Sequence, residues 1–260
     1  MTISAPDVPM LVHSPSEDAG LRMRPPAPDL TLQQRLACLF RLLAMEGWSE
    51  NFSGHITCED GTGNLLVNPW GLWWDEVTAS DLCTVDRDGT VVAGDRDVSP
   101  AIYLHTEVHK VRPDARVIIH NHPYYGTLLA SMGVLPQVNT QSSCLFQDEI
   151  GVFNDFTGPV DDAGLGAQLA AGLGGASACL LTRHGVLTMA PTVEAAAYRA
   201  VTFERMCRLT YDMLVAGRDP LPIDPGVARV TKGRLDSIAV EAYWAGAVRG
   251  VLRSSPETVR

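Results

Sequence analysis

Apolar residues change their spacing several times along the chain, and each change marks an element. Leu32, Leu36, Leu39, Phe40 and Leu43 recur at helical spacing, and Thr31 with Gln34 has the form of a capping box, so a first helix is expected to end near Gly47. Short alternating pieces at 53–58, 64–67, 82–85 and 90–93, separated by Gly, Asp and Asn turns, read as strands. The pattern turns helical over 101–112 and stops before Pro113. ARVIIH (115–120) and SACLLT (177–182) are apolar runs of strand length and read as buried strands. Further helices are expected over 123–132, with proline in the first turn, and over 162–173, 192–217 and 231–252.

Strands and helices mix without strict alternation, and no repeat or G-x-G-x-x-G loop is present, which favours an α/β fold with a mixed central sheet covered by helices over a dinucleotide-binding domain. Residues 1–28 carry six prolines (Pro6, Pro9, Pro15, Pro25, Pro26 and Pro28) and few large apolar residues, so they are expected to form a disordered arm. Residues 29–260 then make one domain ending in a helical tail. Hydrophobic content of 46% is ample for one continuous core at this length.

Charge narrows the partners. With 20 Lys and Arg against 30 Asp and Glu the formal charge is −10, which attracts neither nucleic acid nor anionic lipid. No apolar run approaches the roughly 20 residues that cross a bilayer, and the N-terminus lacks a secretory pattern, so a cytoplasmic protein is expected. Six cysteines (Cys38, Cys58, Cys83, Cys144, Cys179 and Cys207) are scattered without a C-x-x-C pair and read as reduced thiols.

The candidate chemistry is imidazole. His120-Asn121-His122 stands where an apolar strand runs out, and alternation along extended chain turns both rings to one side. Alone, such a pair is equally a surface feature of a strand end. His184 also follows an apolar strand, and lies beside the pair if the two buried strands are neighbours. Three neutral imidazoles with an open position compose a catalytic divalent site, for zinc or for ferrous iron.

The blocks FSGHIT (52–57), LVNPWG (66–71), DLCTVDRDGTVVAGD (81–95), LHTEVHKVRPDARVIIHNHP (104–123), LLTRHGVL (180–187) and the long helix from Thr192 resemble, in that order, the class II aldolase/adducin family over about 30–217. The resemblance implies the three-layer class II aldolase fold, a divalent metal on His120, His122 and His184, and a homotetramer with sites at subunit boundaries. The chain also departs from the family's sugar-phosphate enzymes. Their glutamate four residues before the histidine matching His105 is Ala101 here, so their acid/base is missing. Their phosphate-binding positions fall on His55, Trp70 and Pro100, which weakens anion recognition and adds apolar surface.

Other candidates carry two readings each. Trp70, Trp73 and Trp74 crowd WGLWW and are either a packing cluster or the wall of a pocket for an aromatic substrate. His55 is either a donor behind the metal ligands or a solvated turn residue, and His105 either faces the metal pocket or is a satisfied helix position, as His109 is. Tyr103, Gln147 and Tyr243 are polar candidates without a motif, and Glu149 is either a replacement carboxylate or a surface residue. His13 falls in the arm.

Two enzyme readings follow, both on a small non-phosphorylated acid. Within the family the chain resembles the bifunctional non-haem iron oxygenases of aminocoumarin antibiotic pathways, which implies Fe(II), dioxygen and oxidative decarboxylation of an aromatic keto- or hydroxy-acid. The alternative is a redox-neutral lyase, an aldolase or decarboxylase using Zn(II) or Mn(II). A third reading, a non-catalytic adducin-like module, ranks last because adducin heads lose the metal histidines that survive here.

Overall fold

The computed structural model describes residues 26–155 and 158–260; most of the proline-rich arm, including His13, lies outside the described residues. The chain begins with α1 (Leu32–Met45), β1 (His55–Glu59), β2 (Leu65–Val67), β3 (Cys83–Val85) and β4 (Val91–Ala93). It continues through α2 (Tyr103–Val111), β5 (Val117–Asn121), α3 (Tyr124–Met132), β6 (Ile150–Phe153), α4 (Ala163–Gly172), β7 (Ala178–Leu181) and β8 (Gly185–Ala190). Helices α5 (Val193–Val215), α6 (Pro225–Arg234) and α7 (Val240–Ser254) complete it.

Side chains at the helix starts explain where several of them begin. Thr31 accepts from Gln34 N at 3.3 Å while the Gln34 side chain accepts from Thr31 N at 3.1 Å, closing the capping box. Thr192 and Asp162 cap α5 and α4. Helix α3 is started from elsewhere: Pro123 precedes its first turn, and the Glu204 carboxylate on α5 accepts from Tyr125 N at 2.7 Å and Gly126 N at 2.8 Å. Two orphan donors of α3 are thereby satisfied by a neighbouring helix.

The eight strands form one mixed sheet in the order β4-β3-β2-β1-β5-β8-β7-β6, antiparallel except for the β6–β7 pair. Alternation sorts its residues onto two faces. Ile56, Cys58, Val117, Ile119, Leu180 and Val186 join the large core shared with α1, α3, α5 and α7. Ile118, Leu181, Leu187 and Met189 meet Leu104 and Val108 of α2 and Leu169 and Leu173 of α4 on the other face. The result is the expected three-layer α/β arrangement.

Three sequence expectations change. The buried strands β5 and β7 are not neighbours, because β8 lies between them and pairs with both. GVLTMA and IGVF, not read as strands, are β8 and β6. The C-terminal helix begins earlier than 231, at Pro225, and is interrupted by a π turn at Leu235–Ala239. Among the described residues no helix is long and apolar enough to cross a membrane.

Candidate metal centre

His120 is the penultimate residue of β5 and His122 follows the strand end, so their side chains emerge on one face. His184 reaches them by the tight β7–β8 turn, in which Arg183 adopts φ +60°, a left-handed conformation uncommon for a residue with a Cβ. The register Asn121↔Val186 then sets that turn against the end of β5. The ring centroids stand 5.2 Å (His120–His122), 4.7 Å (His120–His184) and 5.0 Å (His122–His184) apart. One nitrogen from each lies within 4.8 Å of the others.

Close backbone packing holds the cluster. A Cβ on Gly185 would lie 2.5 Å from His122 Cδ2 and 2.6 Å from the Asn121 carbonyl oxygen, so only glycine fits. Gly54, at φ +89°, would put a Cβ 2.5 Å from the Asn121 side chain. Asn121 in turn accepts from His122 N at 2.8 Å and donates to the Trp48 carbonyl.

The ring tautomers suit a cation. His120 Nδ1 lies 3.0 Å from the Val186 carbonyl, an acceptor, and therefore carries the proton, which leaves its Nε2 with a lone pair. His122 Nδ1 is bonded to the Glu50 carboxylate, and its Nε2 is buried without a hydrogen-bond partner. Such an orphaned nitrogen facing two other imidazoles is what a metal ligand looks like without its ion. Burial first, then the neighbouring imidazoles, holds His120 well below the ordinary imidazole range, and burial with His122 brings His184 down to about 4. The residues present thus fit a divalent metal held by three imidazole nitrogens.

The remaining candidates divide. His55, on β1 and paired in register with His120, is 4% exposed, and its ring is 5.2 Å from that of His120. His105 stands one step behind, its Nε2 2.7 Å from His55 Nδ1, while His109 shares Thr57 with it. Neither His55 nor His105 belongs to the three-nitrogen cluster.

Glu149 is brought nowhere near it. It precedes Ile150, which pairs with Ala178 at the start of β7, whereas the histidines gather past Leu181 at the other end. There it accepts from Ser177 Oγ at 2.5 Å, pairs with Arg199 at 3.3 Å and bonds Lys232. Burial alone would raise its pKa, but the Lys232 and Ser177 hydrogen bonds and the two cations carry it below the usual carboxylate value. Trp74 is fully buried, donating to the Gly54 carbonyl at 3.3 Å and edge-on to Phe40. Trp70 and Trp73 are about half exposed, and Trp70 stacks edge-on to Phe52 at 5.3 Å. Tyr103 packs on the small core of β2, β3 and Ile102. Gln147 bonds the adjacent Asp148, and Tyr243 lies against Tyr198. Ala101 sits on a short 3-10 turn, Pro100–Ile102, just before α2. Beside His184 lies a small cleft lined by Phe153, Val160, Leu165, Leu169 and Leu181 together with the polar Asp155, Gln168 and Thr182.

Glu50, Thr57 and Glu204 were not expected. Nothing in SENFSG marks Glu50, because it meets His122 only through the fold; Thr57, two residues after His55, could have been read from strand alternation.

Comparison with known proteins accords with this geometry. A class II aldolase and adducin N-terminal domain model matches residues 34–211. An adducin-related protein of Schizosaccharomyces pombe is 36% identical over 65% of this chain, though the match spans only 54% of that protein. The 4-hydroxy-3-prenylphenylpyruvate oxygenase/4-hydroxy-3-prenylbenzoate synthase of Streptomyces roseochromogenus subsp. oscitans is 33% identical over 79% of this chain and 76% of its own. Among solved structures, an L-fuculose 1-phosphate aldolase from Glaciozyma antarctica PI12 is 28% identical with a TM-score of 0.77, covering 88% of this chain and 92% of the other. The fold, the histidine cluster and these matches together make the chain a member of the class II aldolase and adducin N-terminal domain family.

Proposed function

We propose that the protein is a metal-dependent enzyme that cleaves a carbon–carbon bond in a small, non-phosphorylated aromatic keto- or hydroxy-acid, with Fe(II) and dioxygen as cofactor and co-substrate. The observation that carries the reading is the cluster of three imidazoles, one nitrogen of each within 4.8 Å of the others, with no carboxylate in the cluster. His120, His122 and His184 would hold the ion, which when bound supplies Lewis-acid or redox chemistry. Three ligands leave positions for a bidentate acid and for dioxygen. By the sequence resemblance Ala101 takes the place of the sugar-phosphate enzymes' glutamate, and Phe153 and Leu165 beside His184, with the exposed pair Trp70 and Phe52, offer contact surface to an aromatic group. The Streptomyces relative, an oxygenase of a prenylated phenylpyruvate by name, supports the same direction.

Within this reading the chain's own residues have separable tasks. Glu50 and the Val186 carbonyl fix the ring orientation of His122 and His120, Gly185 lets the β7–β8 turn close on them, and Trp70 and Phe52 offer apolar surface. The six cysteines are free and buried; we take the protein to work in the cytoplasm. We take the working form to be a homotetramer.

The redox-neutral Zn(II) or Mn(II) lyase is the second reading, favoured by the aldolase structural neighbour. Protein purified under argon and loaded with Fe(II) or Zn(II) decides between them when product formation from aryl-pyruvates and mandelates is followed with and without oxygen. Turnover that requires iron and consumes oxygen is expected. Undiminished turnover under argon sinks the oxygenase, and no turnover with any metal supports a non-catalytic adducin-like module instead.

A further inference from the structure

Polar side chains run through the layer between the sheet and α2. His55, Thr57 and Glu59 alternate onto the α2 side of β1, and His105 and His109, one turn apart on α2, descend to meet them. His55 Nδ1 is 2.7 Å from His105 Nε2, His105 Nδ1 is 2.7 Å from Thr57 Oγ1, and Thr57 Oγ1 is 2.8 Å from His109 Nε2. Thr57 and His105 are fully buried, and His55 and His109 nearly so. At the far end His109 Nδ1 lies 4.0 Å from Glu59 Oε1. Glu59 reaches toward the surface, where it pairs with Arg87 at 2.5 Å and Arg116 at 3.5 Å.

Burial keeps all three imidazoles neutral: it leads the causes that bring His55 and His109 down to about 3 and His105 well below the ordinary range. A neutral imidazole has one N–H and one lone pair, and a hydroxyl has one proton. With the buried Thr57 hydroxyl proton used in one of these bonds, the chain has two consistent polarities. If His109 carries its proton on Nδ1, its Nε2 accepts from Thr57, Thr57 accepts from His105 Nδ1–H, and His105 Nε2 accepts from His55 Nδ1–H. His55 Nε2 is then bare. Reversing every bond puts the proton on His55 Nε2. The surroundings of His109 break the tie: the Ala115 backbone, a hydrogen-bond partner of the ring, and Glu59 Oε1, 4.0 Å from Nδ1, favour an N–H there, with the Arg87 cation opposing them.

We infer that Thr57, His105 and His109, polarised by Glu59, are positioning residues that hold His55 in its Nδ1–H tautomer and present its bare Nε2 to the three-histidine pocket as a hydrogen-bond acceptor. His55 is the group so presented, since its ring lies beside that of His120 while its nitrogens stand outside the ligand set. The chemical partner of such an acceptor is an O–H, as on a hydroxy-acid. The tautomer is independent of the reaction; its use on a substrate hydroxyl rests on the proposed function.

The test is a long-range proton–nitrogen correlation spectrum of the zinc-loaded protein labelled with 15N-histidine, which distinguishes protonated from bare nitrogens in each ring. His55 is identified by the signals lost in His55→Asn. The expected result is His55 with Nδ1–H and bare Nε2, mixed tautomers in Thr57→Val, which removes the hydroxyl without changing shape, and return to the single form in Thr57→Ser. A wild-type His55 protonated on Nε2, or a Thr57→Val protein whose His55 is unchanged, would overturn the inference. Should Thr57→Val not fold, Glu59→Gln takes its place at the surface end: a mixed His55 supports the chain, and an unchanged one removes Glu59 from it. Activity does not enter this readout, so a failed reaction assignment leaves it intact.

Discussion

The two ends of the central sheet hold opposite kinds of polar cluster. Past Leu181 and Asn121, three imidazoles gather with a nitrogen of each within 4.8 Å of the others, and His122 Nε2 is buried without a hydrogen-bond partner. At the other end Glu149 is surrounded by Ser177, Arg199 and Lys232, and Arg199 continues to Asp236. Charge at that end is neutralised within the chain, whereas the histidine end offers the donor set of a metal site. A carboxylate enclosed by cations is a poor base and a good structural tie; uncharged imidazoles in a cluster are poor structure and good ligands.

The comparison breaks most sharply at the ligands. Changing His120, His122 or His184 to Ala is expected to abolish metal retention and turnover together, since two imidazoles rarely keep a catalytic ion. Metal content per chain after gel filtration checks this, and stoichiometric metal in a variant removes that residue from the ligand set.

Glu50→Gln probes the carboxylate that does belong to the histidine end. It keeps a hydrogen-bonding side chain but loses the negative charge on His122, and metal affinity should fall about 10- to 100-fold. A competition titration with a chelator measures it. Ala101→Glu asks whether a carboxylate has been kept out of the site for a reason. Restoring one should depress the native reaction by occupying a position needed by substrate or dioxygen, with a smaller effect than ligand loss; raised aldol activity would favour the lyase.

Glu149→Gln is expected to act on stability alone. The group is partly exposed, so the loss should be only about 1–2 kcal/mol, with kcat/KM per folded chain retained. Denaturant titration beside steady-state kinetics separates the two. The pH dependence has a definite sign. Because the folded pKa lies below the ordinary value of 4.5, Glu149 stabilises the fold above that pH, and its contribution disappears as pH falls through the lowered value. The variant should therefore differ from the parent at neutral pH and converge with it in acid.

Legibility followed locality. The capping box at Thr31, the strands β1 to β4 and the long helix α5 were carried by residues close in sequence, and they formed as their periodicity required. Strand β6 was not legible because its four residues are half-buried and include a glycine, and β8 because its apolar run follows a turn that the motif reading absorbed. The consequence reached the site: His184 arrives through a hairpin with β8, not by pairing of β5 with β7. The three histidines could be named from their positions at strand ends, but Glu50, Glu204 and the far placement of Glu149 depend on contacts across 72, 79 and 83 residues of sequence.

The central claim is that His120, His122 and His184 hold one divalent ion through imidazole nitrogens alone. X-ray absorption on the zinc-loaded protein tests it directly, by counting the imidazoles and measuring their distance. Three imidazole nitrogens at about 2.0–2.1 Å, with no protein carboxylate, are the expected result. Fewer than three imidazoles on the ion, or a carboxylate of the chain among its ligands, would contradict it.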